Sequence, residues 1–134
     1  MDYKKLGEAE LEIMQVIWKG DTALTSGRIL SELKNIRNWQ LSTLMTSLSR
    51  LAEKGFVKCD RSFGVNLYSA LISENDYKAR ASGSFLKRMY NNSVQGLVAT
   101  LYGNKMFTKQ DIIELRSYLD ELEGKADDET DKQN

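Results

Sequence analysis

The chain has 134 residues, of which 41% are hydrophobic, and its 19 basic and 19 acidic residues balance. This length suits one domain, or a small domain with an appendage. Histidine is absent and Cys59 is the single cysteine, which excludes an internal disulfide, a cysteine cluster for zinc and the commonest general base. The sequence has no phosphate-binding glycine loop and no nucleophile elbow. We therefore expect a protein that is not an enzyme and holds no metal or cofactor.

The sequence also predicts where the protein resides. Its first residues lack the long apolar core of a signal peptide, and no apolar run approaches the roughly 20 residues that cross a bilayer. We expect a cytoplasmic protein without membrane insertion.

Charge is unevenly distributed along the chain. From Thr22 to Arg61 there are seven basic and three acidic residues, whereas from Asp120 onward there are seven acidic and two basic residues. A basic middle is typical of a nucleic-acid-binding segment and an acidic end of a solvating tail, although ordinary surface charge explains the same counts.

The first two predicted helices carry apolar residues at helical spacing. The first extends from Gly7 to Lys19 and has acidic residues in its first turn, where the helix dipole favours them. The second follows a cap at Thr25 or Ser26. Their apolar residues are Leu11, Met14, Ile17, Trp18, Ile29, Leu30 and Leu33.

The third predicted helix lies between Trp39 and Gly55, "WQLSTLMTSLSRLAEKG", and has two contrasting faces. One is apolar and the other is rich in hydroxyls, although Ser and Thr are poor helix formers. The apolar stripe consists of Leu41, Leu44, Met45, Leu48, Leu51 and Ala52, and the polar face of Thr43, Thr46, Ser47, Arg50 and Lys54. Small hydroxyls allow close approach to a duplex and can meet phosphates or base edges, while Arg50 and Lys54 suit phosphates. A solvated face without a partner remains the alternative.

After Gly55 the period changes from helical to alternating. The stretch "FVKCDRSFGVNLYSAL" predicts two short strands, with Val57, Cys59, Val65 and Leu67 on one face and "RSFG" as the turn. Three helices followed by a hairpin predict a winged helix-turn-helix domain, whose third helix enters the major groove.

The second half of the chain has a helical pattern throughout, with Thr108 and Asp111 as a cap of the last helix. Its apolar stripes require a partner, which is either a second copy of the chain or the other helices of the same chain. We expect a dimerisation surface formed by Tyr77, Phe85, Met89, Leu97, Val98, Leu101, Ile112, Leu115 and Leu119. The charged residues from Gly124 onward predict a disordered tail.

Several blocks, taken in order, resemble one known family. They are "LGEAELEIMQVIWKG", "WQLSTLMTSLSRLAEKGFV", "YSALISENDY", "SFLKRMYNNSVQGLVATL" and "FTKQDIIELRSYLDEL", which together cover about Leu6 to Glu123. This order resembles the BlaI/MecI/CopY family of bacterial repressors, and the absence of a CxC motif favours its β-lactam branch over its copper branch.

The resemblance implies a homodimeric winged-helix repressor of palindromic operators that silences resistance genes. In the β-lactam branch a membrane sensor-protease leads to cleavage of the repressor, at a bond that aligns here with Thr100 and Leu101. Two departures stand out. Thr100–Leu101 replaces the family's Asn-Phe pair, and Ser42 replaces a lysine that the family often places beside DNA.

These observations together predict a mainly α protein with a winged-helix DNA-binding domain (1–72), a helical dimerisation domain (73–123) and an acidic tail (124–134). The expected DNA-binding residues are Ser42, Thr43, Thr46, Ser47, Arg50, Lys54 and Arg61. The leading hypothesis is a dimeric repressor of β-lactam resistance genes that binds double-stranded operator DNA. The alternatives are a repressor of the same family that answers another signal, and a winged-helix module used only for protein association.

Overall fold

Three amphipathic helices enclose the core of the amino-terminal half. In the computed structural model, which describes residues 4–133 and side chains up to residue 128, these helices are α1 (Glu8–Lys19), α2 (Ser26–Leu33) and α3 (Leu41–Glu53). Each contributes its apolar stripe to one cluster, because every stripe must be removed from water. The fully buried members from the helices are Ile13, Met14, Ile29, Leu33, Leu44, Leu48 and Leu51.

A small antiparallel sheet completes this half. Its strands are β1 (Leu24–Thr25), β2 (Val57–Asp60) and β3 (Leu67–Ala70), in the order β1-β3-β2. Val57 pairs with Ala70 and Asp60 with Leu67, so residues 61–66 form the loop of the hairpin. The predicted hairpin is confirmed, except that Val65 lies outside both strands and is exposed. Strand β1 was not predicted, because two residues are too few to show a period.

The two predicted helix boundaries around the core are confirmed by their hydrogen bonds. Thr25, rather than Ser26, caps α2, since its Oγ1 accepts from the Arg28 N–H at 3.1 Å. Gly55 has a φ of 83° and ends α3 with two bonds, Gly55 N–H to Ala52 O at 3.1 Å and Phe56 N–H to Leu51 O at 2.9 Å. This is the Schellman pattern, in which the left-handed residue favours glycine. It turns the chain from α3 directly into β2.

The rest of the chain forms three further helices, α4 (Glu74–Tyr90), α5 (Val94–Gly103) and α6 (Lys109–Gln133). The predicted cap of the last helix is confirmed, because Thr108 Oγ1 accepts from the Asp111 N–H and Asp111 Oδ2 accepts from the Thr108 N–H. None of the helices in residues 4–133 has the length and apolar composition of a membrane span.

The chain divides into two compact units between Gly83 and Ser84, within α4. The first unit therefore extends beyond the boundary predicted at residue 72. The reason is Tyr77, whose hydroxyl accepts from the Leu6 N–H at 3.0 Å and whose ring packs against Trp18 and Phe56, each at 5.9 Å between centroids. Tyr77 is a core residue of the first unit, and its prediction as a dimerisation residue is wrong.

The acidic segment after Gly124 differs from its prediction as well. Helix α6 continues through this segment to Gln133 instead of ending before it. Its Glu, Lys and Ala residues are good helix formers, so a helix that begins at Lys109 meets no strong terminating signal there.

The first unit is a winged helix-turn-helix domain. Helices α2 and α3 form the helix-turn-helix pair, and the β2–β3 hairpin is the wing. The whole chain is mainly α-helical, as predicted.

Candidate nucleic-acid interface

Helix α3 presents a polar face to solvent on the side opposite to its buried residues. Leu44, Leu48 and Leu51 are buried, each at 1% exposure or less. The exposed polar residues recur at helical spacing, and they are Ser42, Thr43, Thr46, Ser49, Arg50 and Glu53. We call these six residues the α3 face. Five of them carry hydroxyls or a positive charge, which are groups that can contact phosphates and base edges.

The structure corrects three residues of the predicted faces. Ser47 is only 8% exposed, because it lies on the same side of α3 as Leu44 and Leu51, so it is not available to a duplex. Leu41 is 51% exposed, and Ala52 is exposed as well, so neither belongs to the buried stripe. The sequence prediction missed Ser49, although its spacing of seven residues from Ser42 is a signal that could have identified it.

The hydroxyl of Thr46 already has a partner within the helix. Its Oγ1 donates to the backbone carbonyl of Ser42 at 3.0 Å. The hydroxyl proton is therefore engaged with the helix backbone, and what remains for a ligand is the acceptor capacity of the oxygen and the methyl group. Thr46 suits contact with a base donor or a thymine methyl better than donation to a phosphate.

Glu10 of α1 holds the carboxyl-terminal end of α3. Lys54 Nζ donates to both of its carboxylate oxygens, at 2.7 and 2.8 Å, and the Gly7 N–H donates to one of them at 3.1 Å. Burial by itself raises the pKa of Glu10, but the hydrogen bonds from Lys54 and Gly7 and the charges of Lys54 and Arg50 outweigh it and lower the pKa. Lys54 is half-buried. Its predicted role in DNA binding thus competes with an ion pair inside the domain.

Glu12 of α1 holds the amino-terminal end of α3 in the same way. Its Oε2 accepts from Trp39 Nε1 at 3.2 Å and from Arg37 Nη2 and Nε at 2.8 and 3.0 Å. The Arg37 guanidinium also lies 4.9 Å from the centre of the buried Trp39 ring. The hydrogen bond to Glu12 raises the pKa of Arg37. The two bonds from the guanidinium to Glu12 hold this charge on the turn before α3.

The wing presents a second basic surface beside the end of α3. Lys58 and Arg61 are exposed, and neither forms an ion pair within the described side chains. Asp60 Oδ1 accepts from the Ser62 N–H at 2.9 Å and fixes the start of the loop. Hydrogen bonds from the Ser62 backbone and side chain lower the pKa of Asp60. Arg61 was predicted as a binding residue, whereas Lys58 was not, although its charge and exposed strand position favour it equally.

The second unit has an apolar groove of about 400 Å³ between α5 and α6. It is lined by Val98, Tyr102, Phe107, Ile112, Leu115, Arg116 and Leu119. Four of the residues predicted for dimerisation lie here. Of the others, Leu97 and Leu101 are half-buried, while Phe85 and Met89 are 39% and 60% exposed. Within the described part of this unit no large apolar side chain is fully buried.

A family comparison identifies the class of protein to which this arrangement belongs. The family model of the penicillinase repressors matches residues 6–121, which is most of the chain. The chain belongs to the penicillinase repressor family. Penicillinase repressors are DNA-binding transcriptional regulators rather than enzymes, and the winged-helix domain and its α3 face are the parts of the fold that suit this class.

Two relatives align with this chain over nearly their full length. The penicillinase repressor of Bacillus licheniformis is 33% identical over 117 residues, which cover 87% of this chain and 91% of the relative. The methicillin resistance regulatory protein MecI of Mammaliicoccus sciuri is 30% identical, with 89% and 98% covered. The solution structure of the DNA-binding domain of the repressor BlaI is 34% identical, with a TM-score of 0.49, and covers 55% of this chain and 88% of that domain.

The Glu10–Lys54 pair generates a prediction about stability and pH. Because the pKa of Glu10 is lowered in the folded state, the stabilisation from its carboxylate is complete above the ordinary value of 4.5 and is lost as pH falls through the lowered pKa. Glu10→Gln should reduce the free energy of unfolding by about 1 kcal/mol near neutral pH. The difference from the wild type should shrink as pH falls below 4.5 and through the lowered pKa, because the wild-type carboxyl then becomes protonated and neutral as well.

Urea unfolding followed by circular dichroism between about pH 6 and about pH 3 measures this difference. Glu53→Gln is the matched control, since Glu53 is exposed and has no ion pair among the described side chains. A Glu10→Gln protein whose stability differs from the wild type by the same amount at every pH would contradict the assignment.

Proposed function

We propose that the chain is a homodimeric repressor that binds palindromic operator DNA and controls β-lactam resistance genes, those of a β-lactamase and its sensor. The observation that carries the proposal is the free polar face of α3 in a chain of the penicillinase repressor family. The names of the relatives, penicillinase repressor and methicillin resistance regulatory protein, support the β-lactam signal.

In the proposed complex α3 lies in the major groove and the wing meets the adjacent backbone. The hydroxyls of Ser42, Thr43 and Ser49 are short enough to let the helix backbone approach the duplex. Arg50 lies on the same face and has no ion pair within the described side chains, so its guanidinium is free to hold a phosphate. Arg61 and Lys58 hold phosphates in the same way from the wing.

The charge of Arg50 gives the sharpest test of this interface. Arg50→Ala should weaken binding to the promoter of the chain's own operon by about tenfold and reduce the slope of log affinity against log salt by about 0.9, because one phosphate contact releases one counterion. A gel-shift titration at rising salt measures both quantities. The melting temperature should hardly change, since an exposed charge contributes less than about 0.5 kcal/mol to folding.

Lys78→Ala is the control for this experiment. Lys78 is exposed on α4, where it pairs with Glu74 at 2.8 Å, and its loss changes the net charge equally. Equal losses of affinity and of salt slope in the two variants would mean that Arg50 acts only through total charge. A wild-type chain that binds no promoter fragment would reject the repressor function and leave protein association as the role of the domain.

Dimerisation is proposed from the second unit. A groove of this size between α5 and α6 leaves apolar side chains in water, and a second copy of the chain would cover them. A two-fold symmetric protein also matches the symmetry of a palindrome, and the link between two half-site contacts raises apparent affinity through effective concentration.

Leu119 tests this assignment without disturbing a buried core. Leu119 lines the groove and is 52% exposed, so Leu119→Glu should leave the chain folded while it places a charge where a second copy would pack. We expect sedimentation to show a dimer for the wild type and a monomer for Leu119→Glu at micromolar concentration. Ser117→Glu, at an exposed position outside the groove, should remain dimeric. A monomeric wild type would remove the proposal.

Release from the operator is proposed to be proteolytic, after a membrane sensor-protease detects the antibiotic. The bond between Thr100 and Leu101 lies within α5, where the Thr100 carbonyl accepts from the Asn104 N–H and from Asn104 Nδ2. Such a bond must unfold locally before it enters a protease cleft, and the helix ends at Gly103 soon after it. A cut there detaches α6 and so removes one wall of the groove.

Intact mass spectrometry of the repressor from cells before and after β-lactam exposure tests this route. We expect fragments that end near Thr100 only in cells that carry the sensor gene. Full-length protein throughout a normal induction response would show that release occurs without cleavage.

A further inference from the structure

The tip of the wing carries an apolar side chain that the core does not use. Phe63 is 74% exposed, the highest value among the large hydrophobic residues of the described chain, and Val65 beside it is 53% exposed. Phe63 takes part in no aromatic pair among the described side chains. Folding therefore gains little from a phenylalanine at this position, so its side chain is available to a ligand.

Phe63 lies in the middle of the hairpin loop. The loop comprises residues 61–66, and Gly64, with a φ of 80°, reverses the chain directly after Phe63. The Asp60–Ser62 hydrogen bond at 2.9 Å fixes the other side of the loop. An aromatic side chain on a short and locally braced loop loses little further entropy when it binds.

The charges around Phe63 indicate which partner it meets. Arg61 precedes it in the same loop, Lys58 lies on β2, and both are exposed and without ion pairs in the described part of the chain. Asp60 lies between these two cations, and its Oδ1 accepts from the Ser62 N–H. The net charge of residues 58–63 is still positive, which suits a polyanion rather than an apolar protein surface. Since β2 follows α3 through Gly55, the wing begins at the carboxyl-terminal end of α3, which is the end that carries Arg50.

A phenylalanine cannot bind phosphate, so within a duplex its only apolar contacts are sugars, thymine methyl groups and base faces. With α3 in the major groove, the neighbouring groove open to the hairpin is the minor groove, which is about 6 Å wide. A single side chain enters such a groove more readily than the two-stranded ribbon behind it, whose strands are about 4.8 Å apart before side chains are added.

We propose that Phe63 is a DNA-binding and specificity-determining residue, which inserts into the minor groove beside each operator half-site while Arg61 holds the adjacent phosphate. Insertion of an apolar wedge pries base steps apart, and flexible pyrimidine–purine steps such as TA yield at the lowest cost. The wing thus selects the sequence that flanks each half-site by the deformability of the DNA there. This inference rests on the proposed function, which supplies the duplex.

The test uses the full-length chain and a duplex that the wild type selects from a random library. Two forms of this duplex are compared, one with a TA base step beside each half-site and one in which that step is changed to GC. The wild type should prefer the TA duplex. Phe63→Ala should bind the TA duplex about tenfold more weakly, should lose most of the flanking preference and should keep the salt slope, because no phosphate contact is lost. Phe63→Trp should retain the preference.

Two variants of the same loop serve as controls. Val65→Ala removes an exposed apolar group next to the tip and should preserve both affinity and preference. Arg61→Ala should reduce the salt slope by about 0.9. Melting temperatures and sedimentation of all variants should equal those of the wild type, since neither Phe63 nor Val65 belongs to the core.

The outcomes separate this inference from the function on which it rests. Unchanged DNA binding by Phe63→Ala, or an equal loss on the TA and GC duplexes, would overturn the wedge and leave the repressor function intact. A change of oligomeric state in Phe63→Ala would overturn it as well, by assigning the tip to contact with a second copy. Failure of the wild type to select any duplex would reject both proposals.

Discussion

The first unit depends on one constraint on α3, which must bury one face completely while the other stays free. Two carboxylates of α1 meet this constraint at the two ends of α3. Glu12 holds Trp39 and Arg37 before the helix begins, and Glu10 holds Lys54 where it ends. Both glutamates are largely shielded, at 13% and 16% side-chain exposure, whereas Lys54 and Arg37 are 33% and 55% exposed, so water screens the Arg37–Glu12 pair more than the Lys54–Glu10 pair. The core fixes the depth of α3, and the two ion pairs fix its ends.

This arrangement separates structural charges from free ones. Lys54 and Arg37 resemble DNA-contacting residues by their type and position, but each is committed to a carboxylate inside the domain. Arg50, Arg61 and Lys58 have no such partner in the described part of the chain. A ligand can bind the latter group without breaking an internal ion pair, whereas recruitment of the former would first break one.

The two units bury their apolar side chains to different extents. The first unit has a closed cluster of buried residues that extends from Leu6 to Tyr77. The second leaves Val98, Leu115 and their neighbours around an open groove, and its exposed large hydrophobics include Tyr102 and Met106. A folded domain rarely leaves so much apolar surface in water unless another chain covers it. This contrast is the physical reason for the proposal that the first unit binds DNA and the second associates with another copy of the chain.

The sequence alone determined the hairpin, the family and the helices as far as Glu123, but not the continuation of α6 into the acidic segment. Helical periodicity located α1 to α3, the change of period after Gly55 located the wing, and the Thr108–Asp111 spacing located the last cap, because these signals are local and repeat within a few residues.

The sequence could not assign Ser47 or Tyr77. Ser47 lies at the edge of the stripe, and only packing decided that it is buried. Tyr77 has the spacing of the second half of the chain, yet its hydroxyl reaches Leu6, which is distant in sequence. The same holds for three other features, which depend on contacts between distant segments. They are strand β1, the partners of Lys54 and Trp39, and the exposure of Phe63. Periodicity carries no information about such contacts, so the tertiary structure alone decided them.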